Sequence, residues 1–490
     1  MIAETIYAPC SGLGQSAVTV VRLSGDEAGA ALSALLQSAP PPSRQARLRR
    51  IRDPATGEEI DRGLVIWFPA PGSFTGEDMA ELHLHGGRAV LARVTEALSS
   101  QPHTRLAEPG EFTRRAFENG KLDLTSAEGI ADLVAAETEA QRAQALGQMG
   151  GALGRRYDSW RGRLVSTLSH MEAGIDFSDE DMPPDLIARK LGDILGVHDE
   201  IAQHLDDSRC GERLRDGICV TILGPPNVGK SSLLNALAQK DAAIVAATAG
   251  TTRDAIEVHL DLGGYPVTLV DTAGLRVTSD EAENEGVRRA AEKASQADLK
   301  LVVVSPDVGL EHCSEALHFC KGETLLLINK ADLLPQFPEF ESQLSAKCSP
   351  FFEKQDSAEE QLTISVKTGE GLSHLLGCLE NRLSSWFSNI SAETASLTRQ
   401  RHRDALQECD AALTRVLAGL GAPAAEEKIT LATGGAHGRT SALATKGGTE
   451  AIELVAEDLR LAVRCLGRIT GSVDVEDLLD VIFSDFCIGK

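Results

Sequence analysis

Gly224-Pro225-Pro226-Asn227-Val228-Gly229-Lys230-Ser231 matches the phosphate-loop pattern G-x-x-x-x-G-K-[ST]. The run before it, Gly217-Ile218-Cys219-Val220-Thr221-Ile222-Leu223, is short and apolar, so it reads as a buried parallel strand feeding the loop. Backbone N–H groups of such a loop, together with the following helix start, cradle phosphate oxygens. Lys230 adds a point charge near the β- and γ-phosphates, and the Ser231 hydroxyl is a magnesium ligand. Val228, Gly229 and Ser232 complete the expected phosphate contacts. Alone, this pattern is shared by ATPases, GTPases and kinases.

Three further elements follow in the order a guanine-nucleotide domain requires: Gly250-Thr251-Thr252-Arg253-Asp254, Asp271-Thr272-Ala273-Gly274 and Asn329-Lys330-Ala331-Asp332. Thr252 is placed to complete a magnesium shell when a γ-phosphate is present. Asp271 ends the strand Tyr265–Val270 and holds the same ion directly or through water. Gly274 can offer its N–H to the γ-phosphate and move when that group leaves, which makes a switch. The Asp332 carboxylate suits the two adjacent N–H donors of guanine, a pair that adenine lacks. Ser365-Val366-Lys367, after the apolar run Leu362-Thr363-Ile364, resembles the last guanine-contact loop. Four elements in register imply GTP binding and hydrolysis.

Leu275 follows Asp-Thr-Ala-Gly, where many GTPases place a glutamine that orients the attacking water. Leucine has no polar atom for that task, so a replacement must come from elsewhere. The acidic run Asp280-Glu281-Ala282-Glu283-Asn284-Glu285 lies downstream; from spacing alone it reads as a solvated helix start.

The 490 residues predict two to four domains. A formal charge of −24 argues against a broad basic face for nucleic acid, so a partner is expected to supply much of the grip on any RNA substrate. Ten cysteines without a C-x-x-C pair read as reduced thiols of a cytoplasmic protein. The start, Met1-Ile2-Ala3-Glu4, lacks a secretory pattern, and no segment is long and apolar enough to span a bilayer, so no membrane partner is expected.

The fold class read from the sequence is multidomain α/β plus α. Residues 1–118 predict a mixed α/β domain with strands at Ala17–Leu23 and Gly63–Phe68 and a helix at Ala89–Ser99. Residues 119–210 turn helical, with Trp160, Leu164, Leu168, Met171 and Ile175 on one face. Residues 211–387 alternate strand and helix as in a Ras-like parallel sheet. Residues 388–490 are helical again, with stripes Ile452, Val455, Leu459, Ala462, Leu466, Ile469 and Val475, Leu478, Ile482, Phe486. The simplest account is one helical domain built from both segments, with the GTPase inserted in it. Gly419–Gly448 reads as a flexible insertion.

Four stretches outside the GTPase carry a resemblance: Val20–Gly25, Phe74-Thr75-Gly76-Glu77-Asp78 running to His85-Gly86-Gly87, Pro109-Gly110-Glu111-Phe112 through Lys121-Leu122-Asp123-Leu124, and Phe486-Cys487-Ile488-Gly489-Lys490. With the inserted GTPase, they resemble the tRNA modification GTPase MnmE (TrmE) family over nearly the whole length. The resemblance implies a cytoplasmic homodimer joined through its N-terminal domains. It also implies a heterotetramer with the FAD-dependent partner MnmG (GidA) and work on carbon 5 of the wobble uridine of certain tRNAs, adding an aminomethyl or carboxymethylaminomethyl group. Residues 1–118 would then bind a tetrahydrofolate derivative, as its 5-formyl or 5,10-methylene form, through Arg22, Glu81, Lys121 and Lys490. Adjacent N–H donors on a pterin suit Glu81, and the cations suit anionic or carbonyl groups of the folate.

The same resemblance implies potassium-stimulated hydrolysis when two GTPase domains meet, the ion taking the place of an arginine finger. Asn227 matches the phosphate-loop potassium ligand, and Ala246, Thr248 and Thr251 lie on the loop that supplies the others. Glu283 matches the family's water-orienting glutamate. Cys487 matches a family cysteine and is as compatible with packing as with chemistry. The alternative from another class is a GTPase switch in ribosome assembly, which shares the leucine after Asp-Thr-Ala-Gly but usually carries a basic RNA-binding domain. An ATPase or kinase is opposed by Asn329–Asp332.

Overall fold

In the computed structural model, residues 4–12, 14–176, 185–239, 257–271, 297–309, 311, 323–348, 361–388, 396–420, 449–473, 476–484 and 486–489 are described. The chain divides into two compact units. One joins Met1–Ala131, Gln148–Ala202 and Asp404–Lys490; the other joins Asp132–Gly147 and Gln203–Arg403.

Six strands form the first unit's sheet: β1 (Thr5–Pro9), β2 (Ser16–Ser24), β3 (Arg47–Arg52), β4 (Glu59–Phe68), β5 (Met79–Gly86) and β6 (Thr104–Leu106). Strand β5 alternates buried and half-exposed residues along most of its length, as a strand with one covered face does. Their order is β3-β4-β5-β2-β1-β6, antiparallel except for β1 beside β6. The helices Ala28–Leu36 and Arg88–Ser99 pack Leu32, Leu35, Val94 and Leu98 against Val21, Leu23, Val65 and Leu82 of the sheet. The strands and the helix expected from the sequence are all present, each within a few residues.

In the same unit, the helices Ala152–Asp176 and Thr449–Thr470 lie along one another. Trp160, Leu164 and Met171 are buried as the stripe predicted, whereas Leu168 is half-buried and its neighbour Thr167 is 1 % exposed. Thr167 is tolerated there because its hydroxyl donates to the Arg163 carbonyl at 3.0 Å. Val455, Leu459, Ala462, Leu466 and Ile469 are buried, but Ile452 is exposed. Of the last stripe, Phe486 is buried and Ile482 half-buried, and both pack with Leu479, Phe483, Leu124 and Ala127; the helix Glu476–Ser484 ends before Phe486. Val475, the side chain of Leu478 and most of Gly419–Gly448 lie outside the described residues. Among the described residues no helix is long and apolar enough to cross a membrane.

The second unit holds β7 (Ile218–Leu223), β8 (Glu257–Leu262), β9 (Tyr265–Asp271), β10 (Leu299–Val304), β11 (Thr324–Ile328) and β12 (Gln361–Thr363) in the order β12-β11-β10-β7-β9-β8. All neighbours are parallel except β8 and β9. Strands buried on both faces read as continuous apolar runs, as Leu299–Val304 and Thr324–Ile328 do. The helices Lys230–Gln239 and Leu372–Trp386 add Leu233, Leu237, Leu375 and Leu379 to this core.

A buried ion cluster ties the entry and exit of this unit. Arg403 reaches Glu212 at 2.9 Å, Asp207 at 2.7 Å and the Leu205 carbonyl at 3.0 Å. Arg403→Met removes a cation while leaving Glu212, only 6 % exposed, in place. The variant should lose about 3 kcal/mol of stability, read as a lower urea midpoint for this unit. An unchanged midpoint would show that Arg209, also paired to Glu212 at 2.6 Å, suffices alone.

Candidate nucleotide site

The site stands at the carboxyl ends of β7, β9, β10 and β11, where an open parallel sheet presents its loops. Two glycines shape the phosphate loop. Gly224 has φ +144°, and a Cβ there would lie 2.1 Å from the Val303 carbonyl oxygen; Gly229 has φ +99°, and a Cβ would meet Asn329 Nδ2 at 2.4 Å. Asn227 also adopts a left-handed conformation, φ 65°, and is exposed.

Lys230, 7 % exposed, donates to the carbonyls of Gly224 and Pro225 at 2.7 and 2.8 Å. Burial pushes its ammonium below the ordinary lysine range, and the nearby Asp271 carboxylate opposes that shift. The Ser231 hydroxyl donates to Asp271 Oδ2 at 2.6 Å, and Asp271 is fully buried. Two hard oxygens so placed match what magnesium takes. Val228 is buried, and Ser232 is exposed on the first helical turn.

Asn329 joins the two halves of the site. Its Nδ2 donates to the Val228 carbonyl at 2.7 Å, and its Oδ1 accepts from the Val366 N–H at 3.2 Å. It is 2 % exposed, so its role is to fix the phosphate loop against the base-contact loops. Asp332 Oδ1 accepts from the Ser365 hydroxyl at 2.8 Å, while Lys367 is exposed beside it. Lys330 is in the left-handed region, φ 62°, and its Nζ donates to the Asn227 carbonyl at 2.8 Å and to Asp307 Oδ2 at 2.6 Å.

Asp307 was not singled out from the sequence. Burial raises its pKa, but bonds from Lys330 and from Ser305 Oγ, at 2.7 Å, outweigh that and hold it below the usual carboxylate range. Its only sequence signal is its position just after an apolar strand. Ala246, Thr248, Thr251, Thr252, Thr272, Ala273, Gly274, Glu283 and Lys490 lie outside the described residues.

A second cluster lies in the first unit. Arg22 on β2 stands opposite Glu81 on β5 and donates to Glu81 Oε1 at 2.9 and 3.2 Å. The guanidinium lies over Phe74 and Phe112, 5.4 and 5.6 Å from their ring centres. Among the described residues, the hydrogen-bond partner of Glu81 Oε2 is His83, at 3.4 Å. Lys121 donates to the Pro71 carbonyl at 2.7 Å. Gly489 packs against Pro9, whose neighbour Ala8 pairs with Arg22, so the Cys487–Gly489 stretch reaches the same sheet. Cys487 is exposed, and its carbonyl accepts from Gly110 N–H at 3.5 Å.

Fold and site together define a P-loop GTPase. The family described as "MnmE helical domain" matches residues 124–487, and that described as "GTP-binding protein TrmE N-terminus" matches residues 5–121. The chain belongs to the tRNA modification GTPase MnmE (TrmE) family. The MnmE of Parvibaculum lavamentivorans is 51 % identical over 487 residues, covering 99 % of this chain and 100 % of that protein. Those of Paramagnetospirillum magneticum and Rhodospirillum rubrum are 51 % and 48 % identical, each match covering 100 % of both chains.

Proposed function

We infer that this chain hydrolyses GTP and acts in tRNA modification. The carrying observation is the end-to-end match to relatives named tRNA modification GTPase MnmE. The phosphate and base loops bridged by Asn329 give that match a site. Mass analysis of wobble nucleosides in cells lacking the chain tests it: a changed wobble uridine is expected, and an unaltered nucleoside profile would sink the reading.

In the proposed chemistry, Lys230 exchanges two neutral carbonyl acceptors for phosphate oxygens. The phosphate loop, with Asn227, Val228, Gly229 and Ser232, binds the phosphates. Asp332 accepts from guanine while Asn329, Lys330 and Ser365–Lys367 hold the base loop in place. Ser231, with Thr252 and Asp271, would hold magnesium, which supplies charge neutralisation at the phosphates. Thr248, Thr251, Thr272, Ala273 and Gly274 would complete the nucleotide contacts, and Glu283 would orient the attacking water in place of a residue at Leu275.

Asn227 is the described member of the proposed potassium set, with Ala246, Thr248 and Thr251. Its exposed amide offers the oxygen that a monovalent cation takes. Bound potassium would neutralise charge developing between the phosphates. Turnover in potassium should exceed that in sodium at equal ionic strength by about tenfold or more; equal rates would remove the ion from the mechanism.

Glu81, with one carboxylate oxygen left largely open, fits a pterin's paired donors, and Arg22, Lys121 and Lys490 fit the remaining polar groups of a tetrahydrofolate derivative. That group would supply the one-carbon unit. Glu81→Gln should weaken binding of 5-formyltetrahydrofolate about a hundredfold and leave GTP affinity unchanged; equal folate affinity would overturn the assignment. The proposed arrangement is a cytoplasmic homodimer joined by residues 1–118, with a helical frame from 119–210 and 388–490 around the GTPase at 211–387. MnmG (GidA) is the proposed partner.

A further inference from the structure

We propose that the arginine-rich edge strand β3 and its flanks dock the sugar-phosphate backbone of RNA; the proposal rests on the reading that this chain acts on tRNA. Residues 44–52, Arg-Gln-Ala-Arg-Leu-Arg-Arg-Ile-Arg, hold five arginines and no carboxylate, in a chain whose net charge is −24. The strand is the outermost of its sheet and pairs only with β4 among the described residues.

Four of the five guanidinium groups meet neutral acceptors. Arg44 donates to the Gly72 carbonyl at 2.5 Å and Arg47 to the Gln45 side chain at 2.7 Å. Arg49 donates to the Leu48 carbonyl and Arg52 to the Gln37 side chain, at 3.5 and 3.4 Å. Among the described residues none of these four forms an ion pair. The fifth, Arg50, stands directly opposite Arg62 in the register. Like charges so placed oppose strand pairing. A single carboxylate, Glu59, serves both, at 2.5 Å from Arg62 and 3.6 Å from Arg50. Arg52 also stands opposite Glu59 in the register, so this one carboxylate faces three guanidinium groups, Arg62, Arg50 and Arg52, which hold it below the usual carboxylate range. Cations outnumber anions along the strip, and phosphate would supply the difference.

The geometry suits a polyanion. Arg47 and Arg49 share one face of the strand, about 7 Å apart, and Arg50 and Arg62 share the other. The edge is therefore a cationic ridge rather than a base-reading groove. Contacts of that kind position a nucleic acid without specifying its sequence, and the planar guanidinium fork matches phosphate. Charges on an edge strand also prevent edge-to-edge pairing, and titration with tRNA separates that role from RNA docking. Exposed Leu48 and Leu64, paired beside the arginines, make a protein the competing occupant.

The test uses the full chain, a fluorescent tRNA and anisotropy titrations from 0.05 to 0.2 M salt. R47Q/R49Q should bind tRNA about tenfold or more weakly at 0.1 M salt, and its log–log salt slope should shrink by about 0.9 for each arginine lost. R47K/R49K should retain most of the affinity, and both variants should hydrolyse GTP at the parental rate. Equal affinity and slope for R47Q/R49Q and the parent, or no tRNA binding by the parent, overturns the proposal. A change in oligomeric state or in retained protein partners with unaltered tRNA affinity overturns it too, and assigns the strip to protein docking. Wobble nucleosides in the deletion strain separate the two levels. If modification depends on the chain while R47Q/R49Q binds like the parent, only the strip fails. If modification is independent of the chain, the functional reading fails.

Discussion

Asp332→Asn is expected to lower GTP affinity about 10³-fold and to raise affinity for xanthosine triphosphate above that for GTP. The carboxylate accepts from two guanine N–H groups, and a hydrogen bond to a charged group contributes about 1.5–3 kcal/mol. Asparagine turns one acceptor into an NH₂ donor that faces the base's own donors. Xanthine carries a carbonyl where guanine has its exocyclic amine, so the same NH₂ finds an acceptor there. The surrounding loop survives the change, because the Ser365 hydroxyl, fully buried and now 2.8 Å from Asp332 Oδ1, can donate equally to an amide oxygen. Titration calorimetry with both triphosphates reads the result, and an unaltered preference for guanine would remove Asp332 from base recognition.

The contiguous motifs were legible because their chemistry is local. A phosphate loop needs glycines at fixed offsets, and the positive φ of Gly224 and Gly229 shows why. The apolar runs of β7, β10 and β11 announced a parallel sheet for an equally local reason. What escaped is what depends on distant packing. Asn329 was read as part of a base-contact motif, yet its two bonds, to Val228 and Val366, span 101 and 37 residues. Asp307 becomes a partner of Lys330 only when β10 and β11 lie side by side.

The pairing of Arg22 with Glu81 is set by the β2–β5 register, which no spacing in the sequence encodes; their inclusion as a pair came from resemblance. Net charge says nothing about local clustering. A total of −24 coexists with five arginines in the nine positions 44–52, four of them on the edge strand β3. The amphipathic stripes departed from the structure at Leu168, where the buried Thr167 hydroxyl finds a carbonyl, and at Ile452, which is exposed near the start of its helix.

Lys230→Ala should abolish useful GTP affinity, a loss of about 10²–10³-fold, while leaving the empty protein nearly as stable as the parent. The two effects separate because Lys230 is held at a disadvantage before nucleotide arrives. Burial lowers its pKa, so the empty fold disfavours the charged form, and Asp271 compensates only in part. Removing the ammonium relieves that penalty but forfeits its bonds to the Gly224 and Pro225 carbonyls, which remain close to solvent and can be hydrated. These contributions oppose each other and nearly cancel. With GTP present there is no such cancellation, because phosphate favours the charged form and two charge-assisted bonds are lost with the side chain. The sign of the pH dependence follows. As pH rises through the depressed pKa of the folded state, Lys230 loses its proton, so parental affinity for GTP should decline at a lower pH than an ordinary lysine would give. Binding on that alkaline flank should take up a proton. In Lys230→Ala both signatures should disappear. Fluorescence titration with a GTP analogue across pH, beside a thermal melt of the empty chain, reads all three quantities. Affinity within tenfold of the parent, or a melting point far below it, would show that Lys230 supports the loop rather than the phosphates.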